Sequence, residues 1–130
     1  MDNKTLADFL PSNKNAEGVF SFGSPLKNIN YKISIDDVIE RLVQVKDPEL
    51  DINVYDLGLI YEIQVDYLNN IDILMTLTTV NCPVADSFPL DVAKKVHEIP
   101  EVGLINIKLT FEPSWNKDMM SEDARLALGF

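Results

Sequence analysis

The sequence predicts a small α+β protein, a two-layer sandwich running helix, hairpin, helix, strand, helix, with a three-stranded mixed sheet. Three observations carry this. Two alternating apolar/polar runs, residues 59–67 and 71–77, flank the turn-forming Leu68-Asn69-Asn70. Segments with apolar residues at helical spacing lie on either side of that hairpin. A third alternating run, 105–111, follows the second helical segment at the spacing of a crossover, which places it parallel to a strand of the same sheet. With 130 residues and 46% hydrophobic content, one domain with its own core is expected.

In chain order, residues 1–33 show no sustained period and are punctuated by Pro11, Gly18, Gly23 and Pro25. They read as a loosely ordered extension, with the Val19–Phe22 run expected to dock on the core rather than on a partner. The domain is expected to span 34–130. Ser34 followed by Asp37 resembles a capping box, and Ile35, Val38, Leu42 and Val45 build one apolar stripe up to the stop at Asp47-Pro48. A carboxylate-rich loop, 49–56, follows.

After Gly58 the period changes to two. Leu59, Tyr61, Ile63, Val65 and Tyr67 are expected on one face, and Ile71, Ile73, Met75 and Leu77 continue that face beyond the turn. Residues 84–99 read as a helix buried through Phe88, Val92, Val96 and Ile99, with Asp86 and Asp91 ahead of Lys94 and Lys95 as the helix dipole favours. Pro100 ends it. Ile105, Ile107, Leu109 and Phe111 form the last strand, and Ser121 caps a short helix that Gly129 closes. Helices are expected over the apolar face of the sheet, with the other face largely wet.

Charge narrows the function classes. Lys4, Lys14, Lys27 and Lys32 outweigh Asp2, Asp8 and Glu17 by one charge in residues 1–33, so the remainder carries −11 against a total of −10. A folded part this acidic repels phosphate backbones, so no nucleic-acid partner is expected, and no apolar run is long enough to span a bilayer. The start Met1-Asp2-Asn3-Lys4 lacks the apolar stretch of a signal peptide, and the lone cysteine fits a reducing compartment. We therefore expect a cytoplasmic protein.

The chemistry-bearing stretch is Thr78-Thr79-Val80-Asn81-Cys82-Pro83, which holds the only cysteine between a strand and a helical pattern. A thiol near a helix N-terminus has its pKa lowered, whereas Pro89 argues for a later helix start and the acidic surroundings oppose a thiolate. By residue type, Cys82 reads either as a small buried hydrophobe or as a reactive thiol. His97, the only histidine, lies about 20 Å along the expected helix, too far for a cysteine–histidine dyad. One cysteine and one distant histidine build neither a structural zinc site nor a four-thiolate cluster. Asp47, Glu49, Asp51 and Asp56 are candidate cation ligands or acid–base groups that equally serve as turn formers. Trp115 reads as a lid on the core or an interface anchor, and Thr78 and Thr79 as caps for the strand end.

Five stretches in order resemble the SufT and PaaD-like family of iron–sulfur assembly factors, relatives of the eukaryotic cytosolic iron–sulfur targeting subunit. They are Asp47-Pro48-Glu49, Asp56-Leu57-Gly58-Leu59-Ile60, Thr78-Thr79-Val80-Asn81-Cys82-Pro83, Glu112-Pro113-Ser114-Trp115, and Met119-Met120-Ser121 with Ala124-Arg125-Leu126. The resemblance covers about residues 34–129 and implies an iron–sulfur-assembly-domain-like fold. It also implies a non-enzymatic role in maturing or delivering clusters. Cys82 is then the functional thiol and a transient ligand of iron or a cluster, Glu49 its companion, and Asp47, Asp56, Thr78, Thr79, Pro83 and Trp115 support it. No cofactor is expected to stay bound. Expected partners are assembly proteins and client apoproteins, with a homodimer left open. Pro89 and residues 1–33 depart from the family pattern. Two rivals remain: a reactive-thiol redox sensor or enzyme, and an assembly factor for a multicomponent oxygenase. The absence of a further C-terminal cysteine cluster favours the SufT-like branch over the latter.

Overall fold

Period-two patterning and one strong N-cap set the frame of the computed structural model, which describes residues 16–78 and 87–129. Its elements are β1 (Ala16–Phe22), α1 (Ile35–Leu42), β2 (Ile60–Val65), β3 (Ile71–Met75), α2 (Phe88–Val96), β4 (Ile105–Thr110), a single 3₁₀ turn (Lys117–Met119) and α3 (Glu122–Ala127). The sheet order is β1-β4-β3-β2. β2 runs antiparallel to β3, β3 parallel to β4, and β1 antiparallel to β4. The fold is α+β with a mixed sheet, as expected.

The sheet has four strands, however, not three. The additional strand, β1, comes from the stretch read as a loose extension. Gly18 inside the strand and Gly23 just past its end obscured it, yet Phe20 and Phe22 stand opposite Ile107 and Ile105 and pack against the core. Phe22 also meets the His97 ring edge-on, with centroids 5.0 Å apart.

α1 starts where the sequence places it. Ser34 Oγ accepts from the Asp37 backbone N–H at 3.1 Å, and an Asp37 carboxylate oxygen accepts from the Ser34 N–H at 3.0 Å. Aspartate thus closes a capping box usually completed by a longer residue. These bonds, with a third from the Tyr31 hydroxyl, hold the Asp37 carboxyl below its ordinary pKa. α1 is shorter than expected: it ends at Leu42, five residues before Asp47, and Val45 is buried outside it. Ile35, at the solvent edge of the stripe, is exposed.

The hairpin forms with one irregularity. The pairing register slips between Ile60 and Glu62, so a β-bulge at Tyr61 breaks the alternation. Ile60, Ile63 and Val65 face the core, whereas Tyr61 packs on Leu74 on the opposite face. Tyr67 lies in the turn and is 74% exposed. Both tyrosines therefore leave the face the sequence assigned them. The second face is also drier than expected, for Leu74, Thr76, Lys108 and Thr110 are buried there.

α2 begins at Phe88 with Pro89 in its first turn, where the missing N–H costs nothing. The expected start at 84 lies outside the described residues. Phe88, Val92, Val96 and Ile99 are all buried, Asp91 sits in the first turn, and Lys94 and Lys95 sit in the last.

The end of the sheet that carries the hairpin turn is tied together by Asn69, which is fully buried with φ of 61°. Its amide nitrogen donates to the carbonyls of Tyr31 (2.7 Å) and Glu101 (3.0 Å), and its amide oxygen accepts from Ile33 N–H (3.0 Å). One side chain thus joins the hairpin turn, the segment before α1 and the loop before β4. Asn69→Ala strands these buried or half-buried backbone groups and replaces a residue that tolerates the left-handed conformation with one that tolerates it less. A loss of about 4 kcal/mol is expected in urea unfolding.

Candidate functional site

Strand direction gathers the sequence motifs. Ile60 at the start of β2 lies opposite Met75 at the end of β3, and Met75 lies opposite Leu109 near the end of β4. The loop before β2, the exit from β3 and the loop after β4 therefore sit at one end of the sheet. β1 starts there too, with Ala16 opposite Thr110. In open sheets with parallel strands, ligands are bound outside the carboxyl ends of those strands, which is this end.

The carboxylates of the first loop divide into turn formers and one free group. Asp47 is buried, and its Oδ1 accepts from the N–H groups of Glu49 (2.8 Å) and Leu50 (3.0 Å). Asp56 accepts from the Asn53 side-chain amide at 2.8 Å, and its carbonyl accepts from Ser121 N–H at 2.7 Å. Asp51 takes φ of 57° and stands 3.9 Å from Lys46, with both side chains exposed. Glu49 is exposed, and among the described residues its carboxylate has no partner. Of the four, Glu49 is the one with no partner among the described residues.

Thr76 and Leu77 extend β3 as buried residues, Thr76 N–H donating to Leu59 O at 2.9 Å, and Thr78 beyond them is half-buried. Thr79, Cys82 and Pro83 lie outside the described residues, as does the separation of Cys82 from His97. His97 is an exposed residue at the C-terminal cap of α2. Among the described residues, no group of three or more His, Cys, Asp or Glu stands together as a metal site, and no helix is long and apolar enough to cross a membrane.

The third loop is clipped onto the first. Trp115 is half-buried against the core, and its indole N–H donates to Leu57 O at 2.6 Å, so it is a lid. Tyr61 Oη donates to Pro113 O at 2.7 Å and lies 3.6 Å from Met119 Sδ. Burial pushes the Tyr61 hydroxyl pKa up, and a hydrogen bond with Thr76 partly opposes this. The sequence offered no sign of this role, because the alternation around Tyr61 matches a core-facing residue.

Gly58 makes the close approach possible. Its φ is 81°, and a Cβ there would fall on the Met119 backbone carbonyl. Gly129 has nearly the same φ, 82°, with nothing within 4 Å of an added Cβ. Gly58→Ala should therefore cost about 3 kcal/mol and Gly129→Ala about 1 kcal/mol. Parallel denaturant titrations measure the difference; equal losses would mean that the Met119 contact carries no weight.

Comparison with known proteins identifies the family. An Fe–S protein maturation auxiliary factor from Porphyromonas gingivalis is 52% identical over 95 residues, covering 73% of this chain and 90% of the relative. The Fe–S protein maturation auxiliary factor SufT of Staphylococcus aureus is 40% identical over 85 residues, covering 65% of this chain and 97% of the relative. The crystal structure of a DUF59 domain from Bacillus anthracis superposes with a TM-score of 0.70 at 38% identity, covering 73% of this chain and 91% of that one. Residues 35–109, from the first residue of α1 to the penultimate residue of β4, match the family described as iron–sulfur cluster assembly protein, and β1 lies outside that span. The chain belongs to this iron–sulfur cluster assembly protein family.

Proposed function

We propose that this protein is an accessory factor that helps assemble iron–sulfur clusters or deliver them to client apoproteins in the cytoplasm. In this reading it acts through the Cys82 thiol and is not an enzyme. The observation that carries the reading is topological. The only cysteine of the chain follows β3 in the sequence, and β3 ends at the side of the sheet where the Asp47–Gly58 loop and the Glu112–Met119 loop meet. The names of the relatives, which are maturation auxiliary factors, point the same way.

The chemistry is ligand exchange with the cluster as cargo. Cys82 gives up its proton, and its thiolate replaces a donor's thiolate on one iron atom. A client thiolate then displaces Cys82, with no change of oxidation state. A single thiol on this chain leaves the remaining iron ligands to other molecules, which suits transient handling. Glu49, exposed and unpartnered among the described residues, is the carboxylate assigned to accompany the thiol. The indole N–H of Trp115 is committed to Leu57, so docking of assembly proteins and clients falls to the acidic surface.

The test uses the full chain, purified anaerobically, with a cluster-loaded scaffold and an apo-client whose activity reports cluster arrival. Wild type should accelerate client activation, and Cys82→Ser should lower that acceleration at least about tenfold. Equal rates for the two proteins would contradict the proposal.

A further inference from the structure

We propose that the outer edge of β2, together with the neighbouring flank of α1, is a docking groove for an extended segment of a partner protein that alternates apolar and basic residues. Sheet order leaves β2 outermost, and among the described residues its backbone pairs with β3 alone. The ladder fixes which groups point outward. Asp66 N–H donates to Asn70 O at 2.9 Å, so by the alternation of an antiparallel pair Gln64 also turns its backbone toward β3, while Ile63 and Val65 turn theirs away. Ile71, opposite Val65, agrees, because its N–H is given to Leu104 O on the β4 side. Ile63 and Val65 thus offer donors and acceptors with no partner among the described residues, which is how a sheet edge accepts another strand. Edges are commonly blunted by lysine, proline or a bulge. Here the bulge precedes this stretch, and Leu59–Tyr67 holds no Lys, Arg or Pro.

The helix beside the edge supplies an apolar wall. α1 contacts α2 and β2, whereas α2 rests on β1 and β4. Arg41 pairs with Glu98, just past α2, at 3.2 Å, so that flank of α1 faces α2. Ile35, Ile39 and Val43, at i, i+4 and i+8, line the opposite flank, on the side of the β2 edge. Ile35 is 42% exposed and Val43 40%, Ile39 is half-buried, and so is every residue of β2, although Ile60, Ile63 and Val65 face the core. The rim is acidic, with Asp36 and Glu40 on α1 and Glu62 and Asp66 along β2, and residues 35–40 hold no Lys or Arg. A strand added here places alternate side chains against Ile35, Ile39 and Val43, and the others beside Glu62. Apolar residues suit the first set and Lys or Arg the second. A second copy of this chain would set acid against acid, which favours a basic partner.

This groove gives the docking on the acidic surface proposed above a definite place, and its test uses neither cluster nor thiol. Amide hydrogen exchange is followed by NMR on the isotope-labelled full chain, with and without a short capped peptide of alternating Val and Lys. Saturating peptide should slow exchange at Ile63 and Val65 at least about tenfold and leave the β1 amides unchanged. The same peptide with Glu in place of Lys should give no protection. Ile35→Lys combined with Val43→Lys, both at exposed positions, should weaken binding of the Lys peptide at least about tenfold. The comparison of the two peptides on the unaltered chain decides the matter if that variant fails to fold. No saturable binding, protection at β1 instead of β2, equal binding of the Glu peptide, or undiminished binding by the folded variant would each overturn the inference. So would protection of Ile63 and Val65 that rises with protein concentration in the absence of peptide, which would put a second copy on the edge. A dispensable Cys82 in the transfer assay would sink the proposed function while leaving these exchange results interpretable by themselves.

Discussion

The parallel pairing of β3 with β4, Ile71 opposite Ile105 through Met75 opposite Leu109, fixes where every other part of the molecule can lie. Parallel neighbours need a crossover, and α2 supplies it, burying Phe88, Val92, Ala93 and Val96. Because both strands end on the same side, the connection leaving β3 emerges beside the loop leaving β4. The antiparallel β2 brings the carboxylate loop to the same place from the opposite direction. Three sequence stretches separated by tens of residues are thereby made neighbours before any side chain is considered.

The two ends of the sheet are built differently. At the turn end, Asn69 uses both amide hydrogens and its oxygen on buried or half-buried backbone, the arrangement expected of a structural hub. At the site end, Asp47 and Asp56 spend their carboxylates on turns, while Glu49 remains free among the described residues. Rigid turns around one uncommitted carboxylate hold a site in place without consuming it. The Gly58–Met119 contact and the Trp115 and Tyr61 hydrogen bonds add cross-loop stiffness.

Much of this was legible in the sequence, and the exceptions have physical causes. The Ser34–Asp37 cap, the Asn69 turn, the buried stripe of α2 and the Ser121 cap each follow from a local rule. β1 was missed because Gly18 interrupts its pattern and its stability comes from pairing with β4, a strand distant in sequence. Tyr61 was misassigned because a bulge adds one residue to the count, and nothing local announces a bulge. Among the candidate site residues, the role of Asp47 as a turn former was readable. That Glu49, among the described residues of this loop, stays unpartnered depends on which carboxylates the loop consumes, which only the folded backbone decides.

The central claim is that the work of this chain passes through one thiol. Its most direct test replaces the chromosomal gene with a Cys82→Ser version in the cell that encodes it, and measures the specific activity of an iron–sulfur-dependent enzyme at matched protein levels. The account predicts that activity falls to the level of a strain lacking the gene. Activity equal to that of the unaltered strain, with the variant present at normal abundance, would contradict it.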